Sequence, residues 1–170
     1  IYVTGNLGDS YLGLKALSNK VKFKNKDKLF FVDKYYKPEL PLNLTKYLLK
    51  FANSSIDVSD GLIDDLAKMI NRQSLSFHLF ENKIPVSNKL SNLIKKQRLN
   101  KINLISNGDD YQVLFTADIN KARIIQKASK TTGIKITKIG KIVSGKDRSL
   151  IFDEKGKQIQ AKSKGYIHRF

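Results

Sequence analysis

The sequence predicts an α+β domain, a mixed β-sheet with helices packed on it. Three observations lead there. Stretches of helical and of alternating apolar periodicity follow one another irregularly, not as strict strand–helix repeats. The later part holds short strand-like runs separated by turn residues, as in hairpins. No internal repeat or low-complexity linker divides the 170 residues, so they are expected to form a single domain, 1–170. A hydrophobic fraction of 41% is enough to build a core at this length.

The elements can be justified in order. Residues 1–4 (Ile-Tyr-Val-Thr) read as a strand and residues 5–8 as a turn. Asp9 and Ser10 are good helix caps, and Tyr11, Leu14 and Leu17 follow at helical spacing. A lysine-rich run and residues 33–41 read as a polar connection, with Pro38 and Pro41 arguing against a continuous helix. Leu44, Tyr47, Leu48, Phe51 and Ala52 recur at helical spacing. Residues 54–58 form a short strand that turns through Ser59, Asp60 and Gly61 into a helix bearing Leu62, Ile63, Leu66, Ala67 and Ile70. Residues 75–79 alternate like a strand, and Ser87 caps a helix carrying Leu90, Leu93 and Ile94. An Asn-Gly-Asp-Asp turn at 107–110 leads into a strand over 111–116. Asp118 caps a helix with Ala122, Ile125 and Ala128; strands follow over 134–143 and 149–152, with turns at Gly145 and over 153–157. The chain closes on a polar, aromatic tail, 164–170.

Composition narrows the function. There is no cysteine, hence no disulfide, thiolate metal site or cysteine nucleophile, and the only histidines are His78 and His168. No apolar run approaches the roughly 18 residues of a membrane span, and no signal peptide is visible, so a cytoplasmic protein is expected. The first residue is Ile1 and the chain opens directly on a strand, which suggests a piece of a longer polypeptide. The net charge is +17, carried by 27 lysines and only 5 arginines. Base readers and phosphate clamps lean on the arginine fork, and these lysines are scattered. A solvated surface that attracts phosphorylated metabolites is therefore expected, with neither nucleic acid nor membrane as partner; a basic binding module is the competing reading.

Four segments bear on chemistry. Residues 55–62 read Ser-Ile-Asp-Val-Ser-Asp-Gly-Leu. A strand there delivers Asp57, Ser59 and Asp60 to its end, and two carboxylates beside a hydroxyl suit Mg²⁺ and phosphate. Asp60 would serve equally as a plain helix cap, whereas Asp57, a charge inside an apolar strand, is costly if buried without a partner. Residues 107–116 place Asp109 and Asp110 before an aromatic and a strand, either as ligands or as solvated turn acids. The glycine turn at 5–10 could cradle a phosphate but matches no nucleotide-binding fingerprint. The tail residues Tyr166, His168 and Phe170 could stack on a flat ligand or pin the terminus.

Taken together, these segments resemble the thiamine-monophosphate kinases. Val-Thr-Gly-x-x-Gly-Asp-Ser-x-x-Gly-Leu over 3–14 resembles the opening of that family's C-terminal domain, and Ile-Asp-Val-Ser-Asp-Gly-Leu over 56–62 its most recognisable motif. Residues 108–116 resemble a Gly-Glu-Asp-Tyr-Glu-Leu-x-Phe-Thr pattern, and 164–170 resemble a closing Lys-Gly-Tyr-Asp-His-Phe. The family belongs to the aminoimidazole ribonucleotide synthetase superfamily. The resemblance implies transfer of the ATP γ-phosphoryl group to thiamine monophosphate, with Mg²⁺ and ATP required and no side-chain nucleophile. It implies metal ligation by Asp57 and Asp60, an ATP contact from Ser59, and substrate contacts from Asp109 and Phe170. It also implies an N-terminal ATP-binding domain, absent from this chain, through which the whole protein forms a homodimer; the chain alone is then expected to be inactive. The departures are Asp109 and Gln112 where Glu is usual, Ile167 where Asp is usual, and an additional Arg169. A sibling selenophosphate or aminoimidazole ribonucleotide synthetase is the alternative within the superfamily.

Overall fold

A computed structural model describes residues 1–161 apart from 19, 22, 24, 71 and 72. Phe170 and the whole closing motif lie outside the described residues. Two four-stranded sheets form the frame. The first has strand order β2-β4-β1-β5, with β1 at Tyr2–Thr4, β2 at Ser54–Asp57, β4 at Val113–Thr116 and β5 at Ile136–Lys138; all its pairs are antiparallel. The second has order β6-β3-β7-β8, with β3 at Leu75–Phe80, β6 at Gly140–Ser144, β7 at Leu150–Phe152 and β8 at Gln158–Ile159. Its β3–β7 pair is parallel and the others antiparallel, so the α+β class with mixed pairing holds.

The apolar run over 134–143 serves both sheets, which is why it splits at Ile139. Ile139 is fully buried; its N–H donates to the Ile1 carbonyl, and its own carbonyl accepts from Phe80 N–H. One residue thus joins the sheets by hydrogen bonds on either side.

Strand periodicity sorts the core. Val3 and Leu114 face a cluster with Val58, Leu62, Leu66, Phe77 and Leu79. Their neighbours Tyr2 and Phe115 face the opposite way, against Leu44, Phe51 and Ile125. Tyr2 and Phe115 are direct cross-strand partners and stack with centroids 5.3 Å apart. The first sheet is therefore covered on both faces, by α4 (Leu62–Met69) and the second sheet on one side, and by α3 (Thr45–Leu48) and α7 (Ala122–Thr132) on the other.

Three helical expectations need correcting. Residues 25–36 are not a polar connection but α2 (Asn25–Tyr36), packed on α1 (Asp9–Leu17). The contact is close because Gly13 has no side chain: a Cβ there would lie 2.1 Å from the Phe31 carbonyl oxygen. Phe31 is the fully buried anchor of an otherwise lysine-rich helix, too little apolar surface to show a period. This packing also turns Leu12 and Ala16 inward on α1 and leaves Leu17 exposed, where the spacing of 11, 14 and 17 predicts the reverse for Leu17. The helix expected over 44–52 is a 3-10 turn at Leu42–Leu44 and the single turn α3, because Asn53 N–H already pairs with Thr116 in the sheet. Ser87 caps α5 (Asn88–Gln97) as expected, its hydroxyl accepting from Leu90 N–H at 3.1 Å. The short helix α6 (Lys101–Ile105) has no counterpart in the sequence reading.

Candidate functional site

The motifs at 55–62 and 107–116 are neighbours because β2 and β4 pair, Asp57 opposite Val113. The pairing runs on past the strands into the turns. Val58 N–H donates to the Gln112 carbonyl at 2.8 Å, Tyr111 N–H to Val58 at 2.9 Å, and Asp109 N–H to Ser59 at 2.9 Å. Two glycines let the turns cross. A Cβ on Gly108 would lie 2.0 Å from the Ser59 carbonyl oxygen, and one on Gly61 would lie 2.4 Å from that of Ser106. Both have positive φ, +45° and +124°.

Asp60 does not cap α4. That work falls to Asp65, one turn into the helix, whose Oδ2 accepts from the backbone N–H of Ser59, Asp60 and Gly61, each at 3.0 Å. Asp65 is 1% exposed, on the face where Leu62 and Leu66 are buried, while Ala67 is exposed. Burial lifts its carboxyl above the ordinary range, opposed by the Gly61 and Asp60 N–H groups and by Lys68. With the turn held by Asp65, the Asp60 carboxylate is left to face the Lys68 ammonium. One oxygen each of Asp60, Asp64 and Asp65 lies within 4.8 Å of the others, a set of hard donors of the kind Mg²⁺ takes.

Asp57 is exposed at the end of β2, not buried within the strand, and lies outside that three-carboxylate group, so its charge carries no burial cost. Its charge nonetheless acts on the same group as those of Asp109 and Asp60. The hydroxyl of Tyr111 is pushed up by burial, then by the charges of Asp109 and Asp57, with lesser effects from Tyr35 and Asp60. Asp109 is itself raised by burial and by Asp60, and the Tyr111 hydroxyl bonded to it pulls the other way. Asp57, Asp60 and Asp109 thus all raise the Tyr111 hydroxyl by their charge; Tyr111 is 40% exposed and has a positive φ of 49°. Ser59 contributes its carbonyl to Asp109 and its N–H to Asp65.

The glycine turn at 5–10 is tied to the same place. Asp110 is no solvated turn acid: it is buried, and its carboxylate accepts from Gly8 N–H at 2.7 Å and Ser10 N–H at 3.4 Å, at the start of α1. Burial pushes it up to about 8 against those two N–H groups, with Asp9 adding to the rise. Asp9 is pushed up to about 6, mainly by burial, although the Ser87 hydroxyl donates to it at 2.7 Å. Gln112 is buried and uses both ends of its amide: Oε1 accepts from the Thr4 hydroxyl at 2.8 Å and Nε2 donates to the Glu39 carbonyl at 2.7 Å. A carboxylate could not make that donation, which accounts for Gln at this position.

Sequence reasoning missed the structural parts of Asp65, Asp110 and Lys68. The available signal was an acid at position 65 between the buried Leu62 and Leu66, a charge on an apolar helix face that calls for a partner.

Two sheets joined through Ile139, with acids gathered where two glycine turns cross, define the class: this is the fold of the aminoimidazole ribonucleotide synthetase-like proteins. No protein-family profile matches the chain. The thiamine-monophosphate kinase of Buchnera aphidicola subsp. Schizaphis graminum is 34% identical over 170 residues, covering 99% of this chain and 52% of the relative. The crystal structure of thiamine monophosphate kinase from Aquifex aeolicus aligns with a TM-score of 0.73 at 28% identity, over 94% of this chain and 50% of that one. A second structure, described as AaThiL complexed with AMPPCP and TMP, aligns with the same TM-score at 27% identity, over 98% of this chain and 50% of that one. The chain is a homologue of the thiamine-monophosphate kinases. It spans about half the length of the curated relatives it matches.

Proposed function

We propose that the chain is the C-terminal domain of a thiamine-monophosphate kinase. The whole protein transfers the γ-phosphoryl group of ATP to thiamine monophosphate and releases thiamine diphosphate and ADP. The observation that carries this reading is the pairing of β2 with β4 and of the turns beyond them, which sets the motif holding Asp57, Ser59 and Asp60 directly beside the one holding Asp109, in a chain homologous to these kinases along almost all its length. The ligands named for the solved AaThiL complex, AMPPCP and TMP, support the same pair of substrates.

Phosphoryl transfer needs positioning and charge neutralisation more than covalent help. Mg²⁺, held by Asp57 and Asp60, would supply that neutralisation at the phosphate oxygens; the cluster with Asp64 and Asp65 offers it hard oxygen donors. Ser59 stands at the same turn to contact the nucleotide. Asp109, held by its backbone bond to Ser59 and by the Tyr111 hydroxyl, faces the acceptor. The part of Phe170 in substrate binding rests on the tail motif alone. The N-terminal half of the protein brings most of the ATP site and the dimer contact, so the isolated chain is inactive. A cytoplasmic location follows from this role; among the described residues no helix is long and apolar enough to cross a membrane.

A chimera tests this reading, with the chain replacing the matching half of the Aquifex aeolicus enzyme. Thiamine diphosphate formation from ATP and thiamine monophosphate is expected. It should fall by at least a hundredfold, about 3 kcal/mol of barrier, in Asp60→Asn with the fold intact. A folded chimera without activity, or one indifferent to Asp60→Asn, would overturn it.

A further inference from the structure

Lys68 sits where a cation is wanted. Its ammonium contacts Asp60, lies 2.7 Å from Asp64 and lies 3.3 Å from Asp65. These are the same three acids whose oxygens cluster within 4.8 Å. The two partners on α4 stand at i,i+4 and i,i+3 from it, so the helix itself aims the lysine at the cluster.

The parts of this cluster differ in freedom. Asp65 is fixed by three backbone N–H groups. The side chains of Asp60 and Asp64 are about a third exposed, and that of Lys68 is 45% exposed on a flexible four-carbon stem. Lys68 can therefore leave into solvent without disturbing the turn. Beside a divalent ion it is repelled as a like charge and competes with that ion for the Asp60 carboxylate.

We propose that Lys68 is a tethered counter-ion. It neutralises the Asp60–Asp64–Asp65 cluster in the metal-free protein, and it is displaced when a divalent cation binds. The exchange sets the metal affinity of the site and keeps three neighbouring carboxylates from repelling one another while no metal is bound. This rests on the proposed reading of Asp60 as a metal ligand.

The experiment is a Mn²⁺ titration of the 170-residue chain, read by electron paramagnetic resonance of free Mn²⁺, for the native sequence, Lys68→Met, Lys68→Arg and Asp60→Asn. Lys68 is half-exposed, so Lys68→Met is expected to fold, with circular dichroism as the check. Three ion pairs, two of them to partly exposed carboxylates and one to the buried Asp65, compete with the metal, so Lys68→Met should bind Mn²⁺ about tenfold more tightly. Lys68→Arg keeps the charge and should stay near the native affinity. In the native chain the ¹⁵N signal of the Lys68 ammonium should shift as Mg²⁺ is added. Equal affinities for the native chain and Lys68→Met, with Asp60→Asn abolishing binding, would overturn the exchange and leave Asp60 as a ligand. No Mn²⁺ binding by any of the folded proteins would overturn the exchange together with that reading of Asp60.

Discussion

Asp65 offers the sharpest test of how the site is built. Its single oxygen Oδ2 receives three backbone N–H groups from the turn that carries Ser59 and Asp60. In Asp65→Ala all three lose their partner. The Gly61 N–H is buried, and an orphaned buried donor costs about 1–3 kcal/mol. The Ser59 and Asp60 N–H groups are partly exposed, water replaces their acceptor, and each loses about 0.5–1 kcal/mol. The sum is about 3 kcal/mol, reduced somewhat because a buried charge is removed at the same time. With a urea dependence of about 2 kcal/mol per molar, the unfolding midpoint should fall by about 1.5 M. Asp65→Asn keeps an acceptor oxygen without the charge and should fall roughly halfway. Amide exchange supplies a local readout: in Asp65→Asn the N–H groups of residues 59–61 should exchange faster while those of β4 hold their protection. If Asp65→Ala shifts the midpoint by less than about 0.3 M, or if exchange at 59–61 is unchanged, then Asp65 does not hold this turn.

Two further substitutions probe the neighbouring buried polar groups. Asp9 is held near 6 against an ordinary value of 3.8, so the folded state disfavours its ionisation. Its contribution is fully present below 3.8 and is lost as pH rises through about 6. Asp9→Asn, which still accepts the Ser87 hydroxyl, should match the native stability near pH 4. At pH 7 it should exceed it by up to about 3 kcal/mol, from denaturation at the two pH values. Gln112→Glu removes the donor to the Glu39 carbonyl and buries a charge beside Thr4 and Asp110, so it should cost about 2–4 kcal/mol at pH 8. The cost should shrink at pH 5, where a protonated Glu can donate; equal cost at both pH values, by urea titration, would exclude the donor argument.

Much of the frame was legible in the sequence because it is local. Glycine punctuation marked the turns at 59–61, 107–110 and 145, a short apolar stretch marked β2, and two-residue alternation marked β3. The motifs at 3–14, 56–62 and 108–116 identified the relatives, since each records a backbone requirement that few residues satisfy. Gly61 and Gly108, with their positive φ and with no room for a Cβ, are two such requirements. Tertiary packing decided what no window of sequence contains. Helix α2 exists because Phe31 meets the bare backbone at Gly13, a contact made across 18 residues of chain. Ile139 ends one strand and begins another because two sheets claim its N–H and its carbonyl. Most of all, the sequence presents Asp60, Asp65 and Asp110 as three similar acids beside turns. Only the fold separates a carboxylate that faces a lysine at the surface from two whose oxygens are taken up by backbone N–H groups, because hydrogen-bond partners distant along the chain set what each acid can still do.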